Sequence, residues 1–104
     1  MVTNKMRPIH PGEILAEEYL RPLDMTPHSL ASALHITPAR VNEIVRGERG
    51  ITPDTALRLA RFFETTAEYW LNLQMAYDLR KTSQEVGLKV SEEIAPYSIL
   101  KSKN

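Results

Sequence analysis

The 104-residue sequence contains no cysteine. A disulfide framework and thiol catalysis are therefore excluded, and the composition fits a reducing compartment. Long apolar runs are missing too. No uninterrupted stretch approaches the roughly 18 residues of a membrane span. The N-terminal MVTNKMRPIHPGEIL has no apolar segment of the length a secretory signal needs. A cytoplasmic protein without membrane contact is expected. Nor does one sign of charge prevail, since 13 basic and 13 acidic side chains cancel. That balance counts against an indiscriminate nucleic-acid binder, but not against one whose basic residues cluster.

The catalytic inventory is equally thin. His10, His28 and His35 are the only histidines. Without cysteine or an H-E-x-x-H pair they make a poor zinc set, which also argues against a regulator with a fused metalloprotease. They read instead as a helix cap, a helix start and a turn. Ser29 has no recognisable base and acid partners. Glu17–Glu18 and Glu92–Glu93 are most simply solvated faces. No enzyme, metal or cofactor is expected.

What is present is a repeated helix-start signal. Thr26-Pro27, Thr37-Pro38 and Thr52-Pro53 each stand directly before a helical apolar pattern. A threonine oxygen accepts a hydrogen bond from the orphan amides of a helix start, and a proline at the first helical position gives up an N–H that would be unpaired anyway. His10-Pro11 has the same layout with a weaker cap, and Thr65 with Glu68 reads as a capping box. The spacing predicts five helices, at about Pro11–Tyr19, Pro27–Leu34, Pro38–Arg46, Pro53–Glu64 and Thr66–Lys81. Their apolar faces read Ile14, Leu15 and Tyr19; Leu30, Ala31 and Leu34; Val41, Ile44 and Val45; Leu57, Ala60 and Phe63; Trp70, Leu73 and Tyr77. Gly47 stands where a left-handed C-cap belongs. Residues 8–81 are read as one domain. Residues 82–104 are read as a C-terminal tail, partly ordered or docked, in which EVGLKV and PYSILK suit an extended segment or a short helix. The last residues are expected to be mobile.

Helices 2 and 3 are separated only by His35, Ile36 and Thr37, the layout of a DNA-binding helix-turn-helix. Burying Val41 and Ile44 is expected to turn Ala39, Arg40, Glu43 and Arg46 outward. Arg40 is then the candidate for a bidentate contact to guanine, and Ala39 for a thymine methyl. Glu43 could accept from a cytosine amino group or orient Arg40. Arg46 and Arg49 suit phosphates, as do Thr26, His28 and Ser29 at the start of helix 2 and Thr37 at the start of helix 3. The same spacing also fits a bundle that binds nothing, with Arg40 and Glu43 as a solvated i, i+3 pair. Trp70, Leu73, Gln74 and Tyr77 form a stripe that suits an intramolecular core, above all for Trp70, or a dimer interface.

The order of segments adds to this. HPGEIL (10–15), SLASALHI (29–36), TPARVNEIVRGERGIT (37–52), ALRLARFF (56–63) and EYWLNLQMAYDL (68–79) resemble the Cro/C1-type helix-turn-helix domains. More narrowly they resemble the HigA antitoxins, also labelled virulence-associated protein I. The resemblance implies an all-α, compact five-helix, lambda repressor-like domain with a short C-terminal extension. It implies a homodimer that binds a palindromic operator in its own promoter and neutralises a RelE-like mRNA endonuclease toxin of the HigB type. By it, residues 37–46 match the recognition helix, and helix 5 around Trp70, Leu73, Gln74 and Tyr77 matches the segment that builds the dimer. His35 departs from the wider pattern, which often has glycine there, though histidine tolerates a left-handed backbone better than most residues. Two other readings remain open at this point: a stand-alone repressor without a toxin partner, and an interaction module that no longer binds DNA.

Overall fold

Local capping sets the order of elements. The structure, a computed structural model, describes residues 7–102. Expectations for residues 1–6 and 103–104 lie outside the described residues. Helix α1 (Pro11–Ile14) continues without a break into a π-helical stretch, Leu15–Leu20. It is followed by α2 (Pro27–Leu34), α3 (Pro38–Val45), α4 (Pro53–Phe63), α5 (Ala67–Glu93) and α6 (Tyr97–Ser102), and the described residues form no strand. The i→i+5 bonds of the π stretch bring positions five apart onto one side, which buries Leu15 and Leu20 together.

Each helix starts as its cap requires. His10 Nδ1 accepts the N–H of Gly12 at 2.8 Å, Thr37 Oγ1 that of Arg40 at 3.2 Å, and Thr52 Oγ1 that of Thr55 at 3.4 Å. At α2 the cap is reciprocal: Ser29 N donates to Thr26 Oγ1 at 3.0 Å and Thr26 N to Ser29 Oγ at 3.1 Å. The start of α5 differs from expectation by one residue. Thr66, not Thr65, is its cap, accepting from Tyr69 N at 3.1 Å. Thr65 Oγ1 instead accepts the indole N–H of Trp70 at 2.8 Å, because burying that ring requires a partner for its one donor. The left-handed stops are His35 (φ 58°), Gly47 (φ 76°) and Glu64 (φ 57°), after α2, α3 and α4.

The core lies between α1, α2, α3, α4 and the first turns of α5, with Trp70 at its centre and wholly buried. Tyr19 lies 5.0 Å from the Trp70 ring and 4.8 Å from that of Phe63, and burial pushes its hydroxyl up to about 12. Two packing results depart from the apolar pattern. Leu57 is 63% exposed, because α4 turns Thr55, Ala56 and Leu59 inward instead. Gly12 is required by a close approach, since a Cβ there would overlap the carbonyl of Ile44.

Beyond Lys81 the chain is helical rather than extended. Helix α5 runs on to Glu93, through EVGLKV, supported by a Lys81–Glu85 pair at 3.8 Å. Gly87 alone costs only about 1 kcal/mol in a helix and does not stop it. The helix ends at Ile94, two residues before Pro96, and α6 follows. Residues 88–101 are exposed throughout, so this segment is not docked on the domain. Among the described residues no helix is long and apolar enough to cross a membrane.

Candidate nucleic-acid interface

Helices α2 and α3 meet through Leu30, Ala31 and Leu34 on one side and Val41 and Ile44 on the other, all buried. The small Ala31 admits α3 closely, and Arg58 on α4 fixes the pair from behind. Its Nη1 donates to the carbonyls of Leu34 at 2.9 Å and His35 at 3.4 Å, which caps the end of α2 with a cation. These contacts leave Pro38, Ala39 and Arg46 exposed along α3, with Asn42 and Glu43 half-buried beside them.

The predicted site residues fall into two groups. Ala39, His28, Arg46 and Arg49 are exposed, as are Thr26, Ser29 and Thr37, although these last three already use their oxygens in the caps described above. Arg46 Nε donates to Glu48 Oε1 at 3.4 Å.

Arg40 is not outward. Its side chain is 26% exposed, and Nη2 donates to Thr55 Oγ1 at 2.8 Å and to Asp54 Oδ1 at 3.2 Å. The start of α4 lies beside the first turn of α3, and the buried hydroxyl of Thr55 and the exposed carboxylate of Asp54 draw the guanidinium back. Glu43 consequently does not orient Arg40. It accepts from Arg49 Nε at 2.7 Å. Asn42 donates to the carbonyl of Pro38 at 3.0 Å. Asp54 is shared, since Arg58 Nε donates to the same Oδ1 at 2.8 Å, and the guanidiniums of Arg58 and then Arg40 hold its carboxyl below the usual range. Asp54, Thr55 and Arg58 escaped the sequence reading. The i, i+4 spacing of Asp54 and Arg58 was the available signal.

A second cluster ties α5 to the loop after α3. Gln74 Oε1 accepts the N–H of Ile51 at 2.7 Å, and Gln74 Nε2 donates to Asp78 Oδ1 at 3.0 Å. The ring of His10 packs edge-on against Tyr77, with centroids 4.8 Å apart. Burial pushes its imidazole below the usual value, against the Asp78 carboxylate, the Arg49 backbone and the Glu13 carboxylate. Gln74 and Tyr77 thus make intramolecular contacts, and Leu73 is half-buried against the core. Trp70 has 0% exposure in the single chain, so it has no surface to offer a second copy; its place in the dimer interface is corrected to the core. The large apolar side chains that α5 does expose are Met75, Leu79, Val86, Leu88 and Val90, with Met75, Leu79 and Leu88 the most open at 61%, 66% and 73%. Among the described residues no group of His, Asp or Glu is placed to hold a metal ion.

Two short helices joined by three residues, the second presenting a polar face, define a helix-turn-helix domain. The helix-turn-helix family pattern matches residues 17–70. Virulence-associated protein I of Dichelobacter nodosus is 60% identical over 82 residues, covering 79% of this chain and 76% of that protein. The antitoxin HigA of Pseudomonas aeruginosa, solved with the higBA promoter, superposes with a TM-score of 0.85 at 48% identity, over 86% of this chain and 98% of that one. A HigA-family addiction module antidote protein from Coxiella burnetii superposes with a TM-score of 0.85 at 54% identity, over 88% and 100%. The chain belongs to the Cro/C1-type helix-turn-helix family and, within it, to the HigA antitoxins that include virulence-associated protein I. This is a family of DNA-binding regulators, not of enzymes.

Proposed function

We propose that the protein is a cytoplasmic antitoxin and autorepressor that binds operator DNA in its own promoter. One observation carries this reading: α3 is pinned by Val41 and Ile44 with Ala39, Glu43 and Arg46 on its open side, in a fold similar to a HigA solved with its promoter. The helix enters the major groove, where Ala39 meets a thymine methyl, Glu43 a cytosine amino group and Arg40 a base edge. Arg46, Arg49, His28 and the amide ends near Thr26, Ser29 and Thr37 face phosphates.

The functional unit is a homodimer built on α5 near Leu73, Gln74 and Tyr77. Two-fold symmetry then places two copies of α3 about 34–36 Å apart, which matches palindromic half-sites one DNA turn apart. The neutralised partner is a RelE-like mRNA endonuclease of the HigB type. Support for this comes from family membership and not from any surface of this chain.

A mobility-shift titration with the DNA upstream of the protein's own reading frame tests the DNA reading. A specific shift that survives non-specific competitor is expected. Stable dimers without such a shift would leave a pure interaction module as the better description. Co-purification with the product of an adjacent small basic reading frame tests the toxin. Specific operator binding without such a partner would make the protein a stand-alone repressor.

A further inference from the structure

Resting on the reading of α3 as the groove helix, we propose that Asp54 is a positioning residue that sets which base Arg40 can read. The argument is one of donor counting. A guanidinium makes a bidentate contact to guanine with two parallel N–H bonds, and every such pair on its planar fork includes one from Nη2. Nη2 has two hydrogens. In this protein one faces Thr55 Oγ1 at 2.8 Å and the other Asp54 Oδ1 at 3.2 Å. Held this way, Arg40 can offer a base only single contacts through Nη1 or Nε, which do not single out guanine.

Of the two tethers, Asp54 is the one that governs release. Thr55 is buried at 1% exposure and its hydroxyl also receives Thr52 Oγ1 at 3.3 Å, so it stays where it is. The Asp54 side chain is 56% exposed and its Oδ1 is already shared with Arg58 Nε at 2.8 Å. Arg58 in turn holds the carbonyls that end α2. The carboxylate is thus fixed by one arginine while it withholds the other. Removing it frees one Nη2 hydrogen and with it the bidentate edge.

The test compares wild type, Asp54→Ala, Asp54→Asn, Arg40→Ala and the Arg40→Ala/Asp54→Ala double variant. Each is titrated against the protein's own upstream DNA and against copies with every base pair of a half-site replaced in turn. Asp54→Ala is expected to raise the preference for guanine at one base pair per half-site by on the order of tenfold. Asp54→Asn, which keeps the side-chain shape, shifts the same position less, and serves if the alanine variant fails to fold. In the Arg40→Ala background the shift disappears. A shift that persists there, or a loss that is uniform over all sequences and follows a lowered melting temperature, overturns the positioning role. Specific binding by wild type with an unchanged Asp54 profile overturns it alone. Absence of any specific binding by wild type overturns the groove-reading function together with it.

Discussion

The side-chain carbonyl of Gln74 on α5 accepts the backbone N–H of Ile51 at 2.7 Å, so the loop that follows α3 is held from α5. Asp78 fixes the amide's orientation through Nε2 at 3.0 Å. Ile51 is only 4% exposed, and water does not replace a lost acceptor there. Gln74→Leu leaves that N–H unpaired and is expected to lower stability by about 1–3 kcal/mol in urea denaturation. An unchanged midpoint would mean that the loop is held by other contacts.

The register of α4 makes a sharp comparison between two leucines. Leu59 is buried and Leu57 largely exposed, although both lie on the same short helix. Leu59→Ala should cost about 2–5 kcal/mol, from lost burial plus the cavity left behind. Leu57→Ala should stay within about 0.5 kcal/mol, as surface changes do. Equal costs in parallel melts would contradict the inward face described for α4.

His10 makes stability depend on pH. Burial holds its folded-state value below the usual 6.5. The unfolded chain therefore takes up this proton at a higher pH than the folded one. The contribution is complete above about 6.5, declines as the pH falls through that value, and levels off below the folded value. His10→Asn keeps an oxygen for the N–H of Gly12 but cannot titrate. It should flatten the pH dependence of the denaturation midpoint just below 6.5, and an unaltered slope would assign the effect to other groups.

Arg49 lies past the end of α3 with Nε 2.7 Å from Glu43 Oε1, an exposed pair that phosphate can displace. If it meets the DNA backbone, Arg49→Ala weakens binding about equally for all sequences. The slope of log affinity against log salt then falls by about 1. A variant with the wild-type slope would remove Arg49 from the phosphate contacts.

Much of the fold was legible because helix capping is local. Thr26, Thr37 and Thr52 each satisfy an amide three residues on, so the starts of α2, α3 and α4 could be read without knowing their neighbours. The stop at Gly47 followed from the same local accounting, whereas the left-handed turn at His35 was signalled by the glycine that the resembling domains often carry there. The far end of α5 was misread because its composition is polar and includes Gly87. Nothing there breaks a helix before Ile94 and Pro96, however, and polarity alone does not.

The sequence by itself determined where α1 to α4 begin and that α2 and α3 form a helix-turn-helix, since both depend on contacts within a few residues. The tertiary structure decided what the side chains of that motif do. Arg40 turns from the open face because Asp54 and Thr55, fourteen and fifteen residues away, are carried beside it by the packing of α4. Trp70 and Gln74 turn inward because α5 closes the core and the loop at Ile51 needs an acceptor. Such choices depend on which donors and acceptors the folded chain brings within about 3 Å of each other, and that proximity is made only by the assembled helices.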